Sequence, residues 1–322
     1  MKKNFCLLIL IMVIVITIVS CGTDPTTSDP STTEPQVSET TTAREGETTT
    51  KPDVTTTKPA DITPKPDVTT AKPADTTPEA PTTPEKPASE GLRFQINEGG
   101  NEYTLIGRGS CKDADIVIPG RYEGKPVTSI GMNAFYYSTS LTSITLPDSI
   151  TSIDSYAFYG CSSLTSITIP DSVTSIGGAA FFSCTGLTSI KIPDSITSVG
   201  GHVFQGCTGL TSITIPDTVT SIGEYAFFYC TGLTSITIPD SVTSIGEWAF
   251  NQCTGLTSIT IPDSVTSIGK EAFMYCTSLT TVYCEAESQP EEWDSHWNTY
   301  CSATVYWGNE WEYVDGVPTV KE

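Results

Sequence analysis

The chain has 322 residues, of which 38% are hydrophobic and 16% are charged, and its formal net charge at pH 7 is −21. This excess of acid argues against nucleic acid as a partner, because neutralising phosphates requires clustered Lys and Arg. The only two histidines, His202 and His296, leave little for histidine catalysis or zinc ligation, so we expect no metal and no cofactor.

The N-terminus has the features of a secretion signal. Lys2 and Lys3 precede an apolar run, residues 5–19, that is too short for an ordinary membrane span and typical of a signal-peptide core. The run ends in Ile18-Val-Ser-Cys21, which resembles a bacterial lipobox and implies cleavage before Cys21 and lipidation of that residue. We therefore expect an extracytoplasmic protein, held at the bacterial membrane by its acyl chains and exposed at the cell surface. The alternative is a plain secretory signal in which the cysteine is coincidental.

The next segment, residues 21–90, is rich in Thr and Pro and contains no aromatic residue and no Leu. No core can form from this composition, so we expect a disordered, extended stalk. At about 3.1 Å per residue its full reach is roughly 200 Å, enough to carry a domain away from a membrane. We interpret it as a passive spacer.

From residue 141 the chain repeats every 23 residues, and six full units end at residue 278. Two apolar residues keep their place in successive units. One column consists of Leu141, Leu164, Leu187, Leu210, Leu233, Leu256 and Leu279. The other consists of Phe135, Phe158, Phe181, Phe204, Phe227, Phe250 and Phe273. A period of this length indicates a leucine-rich-repeat-like solenoid, in which stacked coils bury the apolar side that no coil can bury alone.

Each unit contains signals for its own local structure. Leu-x-x-Ile-x-Ile predicts a short strand with its Ile pair turned inward, and the Pro that follows ends the strand. Pro-Asp-Ser predicts a turn, and Val-x-x-Ile-Gly a second extended segment. The Ala-Phe-x-x-Cys segment predicts one helical or 3₁₀ turn that places Phe in the core.

The full pattern, Leu-x-x-Ile-x-Ile-Pro-x-x-Val-x-x-Ile-Gly-x-x-Ala-Phe-x-x-Cys, resembles the BspA-like leucine-rich repeat family of bacterial surface proteins. The resemblance covers about residues 111–283, with small departures such as Asp154 in place of Gly and Val203 in place of Ala. It implies a mainly β solenoid and a role in adhesion or recognition, because some members of the family bind host matrix proteins or mediate cell–cell contact.

Both ends of the repeat array are irregular. Residues 92–106 alternate around Glu98-Gly-Gly-Asn101, which predicts a β-hairpin as an N-terminal cap. Beyond Leu279 the period breaks and four tryptophans follow. We expect them to seal the last apolar coil as a C-terminal cap, with a ligand platform as the alternative. The predicted division is signal peptide 1–20, stalk 21–90, N-terminal cap with an irregular first repeat 91–140, six repeats 141–278 and C-terminal cap 279–322.

Three polar or polarisable ladders run along the repeats. The cysteine ladder consists of Cys161, Cys184, Cys207, Cys230, Cys253 and Cys276. We expect these to be buried, reduced thiols, because neighbouring Cβ atoms in a parallel stack are too far apart for a disulfide. The turn aspartates could recruit Ca²⁺, but water-exposed turn residues are the favoured interpretation. A uniform Ser/Thr ladder on the strands indicates a structural role. Cys284 and Cys301, outside the ladder, are left as a possible pair.

The positions that flank Ala-Phe differ in nearly every unit and are often aromatic, which is typical of a protein-binding surface. Drift at unconstrained positions is the alternative. The candidate ligand-binding residues are Tyr156, Tyr159, Tyr225, Phe228, Tyr229, Trp248, Gln252 and Tyr275.

No catalytic motif occurs, so we do not expect an enzyme. The sequence favours a surface adhesin that binds an extracellular protein or glycan. A structural envelope spacer and a substrate-presenting accessory protein remain as alternatives.

Overall fold

The computed structural model describes residues 86–322, which form a β-solenoid of about nine turns. The predicted signal peptide, Cys21 and almost all of the stalk lie outside the described residues. No helix occurs between residues 86 and 322, and therefore none there is long and apolar enough to cross a membrane.

The strands are short, and most coils contribute two of them. In chain order they are β1 (Arg93–Ile96), β2 (Tyr103–Gly107), β3 (Asp115–Val117), β4 (Arg121–Tyr122), β5 (Lys125–Ile130), β6 (Ser143–Thr145), β7 (Ser152–Ile153), β8 (Ser166–Ile167), β9 (Ser175–Ile176), β10 (Ser189–Lys191), β11 (Ser198–Val199), β12 (Ser212–Thr214), β13 (Ser221–Ile222), β14 (Ser244–Ile245), β15 (Ser258–Ile261), β16 (Ser267–Ile268), β17 (Thr281–Cys284), β18 (Thr304–Tyr306), β19 (Trp311–Val314) and β20 (Val317–Val320).

Parallel pairing joins most coils to the next with the register that the period predicts, although β8 and β9 do not pair with β10 and β11 of the following coil. In the first ladder β10 pairs with β12 so that Ser189 lies opposite Ser212, which is 23 residues away. In the second ladder β13, β14 and β16 pair in the same register. In β12 and β13 the inward Ile is buried and its neighbours are exposed or half-buried, as the alternation of a half-buried strand requires.

The third side of each coil differs from the prediction. The expected helical or 3₁₀ turn is absent, and a series of β-turns takes its place. The Phe158 N–H donates to the Ala180 carbonyl of the next coil at 2.8 Å, whereas the Cys161 N–H donates within its own coil to the Phe158 carbonyl at 3.1 Å. A helix cannot form here because Tyr156 and Gly160, on either side of Phe158, have left-handed φ values of 61° and 70°.

The core contains a continuous stack of phenylalanine rings. From Phe135 to Phe273 the seven rings are fully buried, and successive centroids lie 5.1–5.6 Å apart with interplanar angles of 2–11°. The stack ends edge-to-face on Trp297, whose ring centroid lies 5.7 Å from that of Phe273. Offset aromatic contacts of this kind add to the free energy of burial.

The cysteine ladder lies beside this stack, and all six thiols are free and buried, as predicted. Each Sγ donates to the carbonyl of a phenylalanine one coil back, as in the 3.1 Å contact from Cys207 to Phe181. Burial raises the pKa of Cys207 from 9.0 to about 12, and burial likewise raises the pKa of Cys161 and Cys276 to about 12. These thiols therefore stay neutral and act as small apolar side chains with one weak hydrogen bond. Cys284 and Cys301 are also free thiols.

Threonine and serine side chains tie neighbouring coils together. The Thr211 hydroxyl donates to the Thr188 carbonyl at 3.1 Å, and the Thr243 hydroxyl donates to the Thr220 carbonyl at 3.1 Å. The Ser or Thr that follows each turn aspartate does the same, as Ser241 does to Val219 at 2.6 Å and Thr218 does to Ile196 at 2.7 Å. This repetition supports the structural interpretation of the Thr-rich sequence. The aspartates themselves are all exposed: Asp148, Asp171, Asp194, Asp217, Asp240 and Asp263.

The irregular ends contain the predicted hairpin and an unexpected extension. Strands β1 and β2 form an antiparallel hairpin, and β2 continues in parallel onto β5. Beyond the six repeats, β17 and β18 extend the first ladder, with Thr281 opposite Thr304 at the same 23-residue spacing. The tryptophan-rich tail therefore includes a further coil. Trp293, Trp297 and Trp311 are buried within it, which disfavours the alternative of an exposed tryptophan platform.

Candidate functional site

The residues that vary between units lie together on the turn side of the solenoid, which we call the variable edge. It comprises the two positions before and the two positions after each buried Ala-Phe pair. Two of these positions have left-handed backbone in successive coils, so their side chains project from tight turns at the same place in each coil. The position before Ala is occupied by Tyr156, Ala179, His202, Tyr225, Trp248 and Glu271, with φ between 54° and 61°.

The second left-handed position follows the Phe by two residues. Its φ values are 70° and 73° at Gly160 and Gly206, but also 61° at Tyr229, 59° at Gln252 and 59° at Tyr275. A side chain larger than hydrogen in this conformation costs roughly 1–2 kcal/mol for an ordinary residue. Glycine adopts this conformation without the cost. The larger side chains of Tyr229, Gln252 and Tyr275 therefore occupy positions where the backbone conformation favours glycine.

One group of rings, the tyrosine cluster, lies on the first coils. It comprises Tyr136, Tyr137, Tyr156, Tyr159 and Phe182. Tyr159 stacks between Tyr136 and Phe182 at centroid distances of 4.9 and 4.5 Å. The exposed fractions of Tyr136, Tyr137 and Tyr156 are 47%, 57% and 41%.

Tyr159, one of the predicted ligand-binding residues, is buried in the structure. Only 5% of it is exposed, because the rings of the two neighbouring coils cover both of its faces. Burial and the nearby Tyr137 hydroxyl raise its pKa well above 10.0. Tyr159 therefore supports the exposed tyrosines from beneath and offers little surface of its own to a ligand.

A second group, the acidic aromatic patch, lies three coils further along. The rings of His202, Tyr225 and Trp248 stack in consecutive coils at centroid distances of 4.7 and 5.7 Å, with interplanar angles of 10° and 15°. Phe228 packs against this stack, 5.7 Å from Tyr225 and 6.2 Å from Trp248. All four are only partly buried.

Carboxylates surround these rings. Glu224 and Glu247, each one residue before a stacked ring, are exposed, and Glu271 follows Trp248 in the next coil. Burial and then the charges of these three glutamates raise the pKa of Tyr225 above 10.0. Its hydroxyl therefore stays protonated and remains a hydrogen bond donor at neutral pH.

The remaining predicted residues lie at the far end of the same edge. Tyr275 stacks on Tyr300 from the tryptophan-rich tail, with centroids 5.4 Å apart. Tyr300 is 70% exposed and has a left-handed φ of 56°, so it continues the position that Tyr229, Gln252 and Tyr275 occupy. Tyr300 is not among the predicted residues because it follows Tyr275 by 25 residues rather than by the period of 23.

The strand side of the solenoid differs chemically from the variable edge. In the six repeats its outward positions are Ser and Thr apart from Lys191, and outside the repeats the departures are Asp115 and Val117 in β3, Tyr283 in β17 and Tyr306 in β18. The strand side of the repeats therefore presents nearly the same hydroxyl groups in every coil. Beyond the repeats, Tyr283 stacks on Tyr306 with ring centroids 5.9 Å apart.

These features define a leucine-rich repeat solenoid with an aromatic variable edge, and comparison with known proteins agrees. The model of the BspA type leucine-rich repeat region matches residues 128–227 and 201–302, with six copies. The chain therefore belongs to the BspA-type leucine-rich repeat family.

Solved structures of bacterial repeat proteins are similar to this chain. A leucine-rich repeat protein from Treponema pallidum is 30% identical, with a TM-score of 0.55, and the match covers 61% of this chain and 90% of that one. A leucine-rich repeat protein from Bacteroides ovatus is 26% identical, with a TM-score of 0.45 and coverage of 68% and 70%. A leucine-rich cell surface protein from Faecalibacterium prausnitzii is 26% identical, with a TM-score of 0.39 and coverage of 70% and 83%. No curated protein matches the chain.

Proposed function

We propose that this protein is a bacterial surface recognition module that binds an extracellular protein or glycan through its variable edge. The observation that carries the proposal is the placement of partly exposed rings in adjacent coils. Tyr225 and Trp248 project from backbone in the left-handed conformation, which favours Gly and Asn, whereas the strand side repeats Ser and Thr. Aromatic residues concentrated on one surface are typical of binding sites.

The proposal includes membrane attachment through Cys21. Family membership supports exposure on a bacterial surface, and the lipobox-like end of the apolar run supports the anchor. Metabolic labelling with a palmitate analogue tests this part: we expect the label in the full chain and its loss in Cys21→Ser. Equal labelling of both forms would contradict lipid attachment at Cys21. The proposal that the variable edge binds a partner would still stand.

Binding through the variable edge can be tested by comparing two multiple variants of the full chain. The edge variant combines Tyr225→Asn, Trp248→Asn, Tyr229→Gly and Tyr275→Gly. These replacements suit the backbone, because Asn133 has a φ of 59° at the first left-handed position and Gly206 has a φ of 73° at the second.

The matched control changes the strand side instead, by replacing four exposed threonines with alanine: Thr145, Thr168, Thr214 and Thr237. Flow cytometry then measures binding of each labelled protein to host cells coated with extracellular matrix. We expect at least a tenfold loss of binding for the edge variant and less than a twofold loss for the control. Unchanged binding of the edge variant, with its thermal midpoint preserved, would refute recognition through the variable edge.

A further inference from the structure

We infer that the acidic aromatic patch binds a basic polypeptide segment, one that presents Lys and Arg side chains. This inference rests on the proposed function and narrows its partner from a protein or glycan to a cationic protein surface. Within the patch, the inference uses the rings of Tyr225 and Trp248 and the carboxylates of Glu224, Glu247 and Glu271.

The charge balance of the repeats supports a cationic partner. Residues 141–278 contain two basic residues and ten acidic ones, which gives a net charge of 2 − 10 = −8. Of the two lysines, Lys191 lies in β10 on the strand side, and the Lys270 Nζ lies 3.6 Å from the Glu271 carboxylate. No Lys or Arg of the described residues forms an ion pair with Glu224, whose nearest basic group is the His202 imidazole at 3.8 Å. Lys270 therefore offsets the charge of Glu271, whose side chain is only 16% exposed, whereas Glu224 and Glu247 are exposed carboxylates that no lysine of the repeats pairs with.

The arrangement of rings and carboxylates suits long cationic side chains. Lys and Arg lay apolar stems along apolar surface while their charged ends reach polar groups, and Arg also stacks on aromatic rings. Tyr225 and Trp248 provide that apolar surface in consecutive coils, and coils of a parallel stack repeat at about 4.8 Å. Each ring is preceded in sequence by an exposed glutamate, so charged and apolar contacts alternate along the edge.

A buried amide ties together the turns that carry Trp248 and Glu271. Asn251 is completely buried; its N–H donates to the Trp248 carbonyl at 3.1 Å and its Nδ2 to the Glu271 carbonyl at 3.4 Å. Among the described residues, its Oδ1 is the one buried side-chain oxygen or nitrogen without a hydrogen bond partner. The negative potential that a cation would meet comes from the carboxylates, of which Glu224 and Glu247 are exposed. A neutral glycan would gain nothing from this potential, and an acidic partner would be repelled.

The experiment uses the immobilised full chain and two synthetic peptides of twelve residues, one alternating Arg with Gly and one alternating Glu with Gly. Biolayer interferometry in 150 mM NaCl measures their dissociation constants. We expect the basic peptide to bind and the acidic peptide not to bind. Equal binding of both peptides, or binding of neither, would overturn the inference.

Two triple variants with the same change in net charge separate the patch from nonspecific attraction. One combines Glu224→Gln, Glu247→Gln and Glu271→Gln. The other removes three exposed turn carboxylates elsewhere in the repeats, by replacing Asp171, Asp194 and Asp217 with Asn. We expect the first to weaken binding of the basic peptide at least tenfold and the second less than twofold. Equal weakening would show that only net charge matters and would overturn the inference.

A single substitution tests the aromatic half of the patch without changing charge. Asn tolerates the left-handed backbone at residue 248, since Asn133 occupies the equivalent position in an earlier coil. We expect Trp248→Asn to bind the basic peptide about fivefold more weakly. No change would overturn the role of the ring. Suppose that the edge variant loses cell binding while the two triple variants bind the basic peptide equally well. In that case the basic partner is ruled out and the proposed function stands. If the edge variant keeps cell binding, the proposed function fails as well.

Discussion

Gly246 lies where two successive coils approach closely, so replacing it with alanine tests how tightly the solenoid is stacked. A Cβ atom at Gly246 would lie 2.5 Å from the Glu224 nitrogen and 2.7 Å from the Gly223 carbonyl carbon. Ordinary contacts between such atoms are about 3.5 Å or longer. Both neighbours are backbone atoms of the preceding coil, so no side-chain rotation relieves the overlap, and the coils must separate locally by about 1 Å.

The cost follows from the hydrogen bonds that join these coils. The Gly246 N–H donates to the Ile222 carbonyl at 2.8 Å, and the Tyr225 N–H donates to the Glu247 carbonyl at 2.9 Å. A further 1 Å takes both beyond hydrogen-bonding distance. Each such bond contributes about 0.5–1.5 kcal/mol net, so Gly246→Ala is expected to lower the free energy of unfolding by about 2–3 kcal/mol once lost packing is included.

Urea unfolding followed by circular dichroism measures this change, with Gly178→Ala as the matched control. Gly177 corresponds to Gly246 in an earlier coil, and Gly178 is the residue that follows it. The atom nearest to a Cβ added at Gly178 is the Gly201 carbonyl oxygen at 3.4 Å. We expect the control to change the free energy of unfolding by less than about 0.5 kcal/mol. If the two variants unfold at the same urea concentration, the close stacking of coils at Gly246 is wrong.

Three further substitutions test other parts of the structure. Phe204→Ala removes a fully buried ring from the middle of the phenylalanine stack and should lower the free energy of unfolding, measured in urea, by about 3–5 kcal/mol. Gln252→Gly relieves left-handed strain at a position that Gly160 and Gly206 also occupy, so its thermal midpoint should equal or exceed that of the parent chain. Burial raises the pKa of Cys207 from 9.0 to about 12, so the neutral thiol's contribution to stability is complete below pH 9 and is lost between about pH 9 and 12. In Cys207→Ala, the decline of unfolding free energy above pH 9 should be shallower by up to about 1.4 kcal/mol per pH unit.

Each of these expectations has a contrary outcome. A loss below about 1 kcal/mol for Phe204→Ala would mean that the ring is not tightly packed. A clear fall in thermal midpoint for Gln252→Gly would mean that the glutamine side chain stabilises the turn more than its backbone strain costs. Identical pH profiles for Cys207→Ala and the parent chain between pH 9 and 12 would show that the thiol ionises as readily when folded as when unfolded.

The repeat architecture was predictable because its physics is local and repeated. The Leu and Phe columns each recur every 23 residues, and the structure buries both and pairs strands at that spacing. The thiol ladder followed from the same period, since residues in one column of a parallel stack cannot approach closely enough for a disulfide.

The shape of the turn side was not predictable from the pattern of one unit. Helical spacing between Phe158 and Cys161 suggested a turn of helix, whereas left-handed residues on both sides of Phe158 direct alternate N–H groups to the next coil. The glycines at 160 and 206 were the available signal, but Tyr229 and Gln252 at the same position in other units obscured it.

Exposure on the variable edge depends on neighbours 23 residues away in both directions, which explains the error at Tyr159. Tyr159 and Phe228 occupy the same position in their units, directly after the buried Phe. Rings from both adjacent coils nevertheless cover Tyr159. The coil beyond residue 278 was missed for a related reason. Thr281 and Thr304 keep the period, but the segment between them lacks the repeat's Pro-Asp-Ser signal.

The claim that the variable edge is the recognition surface is tested most directly by hydroxyl-radical footprinting of the full chain, free and bound to matrix-coated cells. Oxidation of Trp248 and Tyr225 reports on the edge, and oxidation of Tyr283 and Tyr306 reports on the strand side. We predict that binding slows oxidation at Trp248 and Tyr225 at least threefold and leaves Tyr283 and Tyr306 unchanged. Protection confined to Tyr283 and Tyr306 would contradict the account, because it would place the partner on the strands.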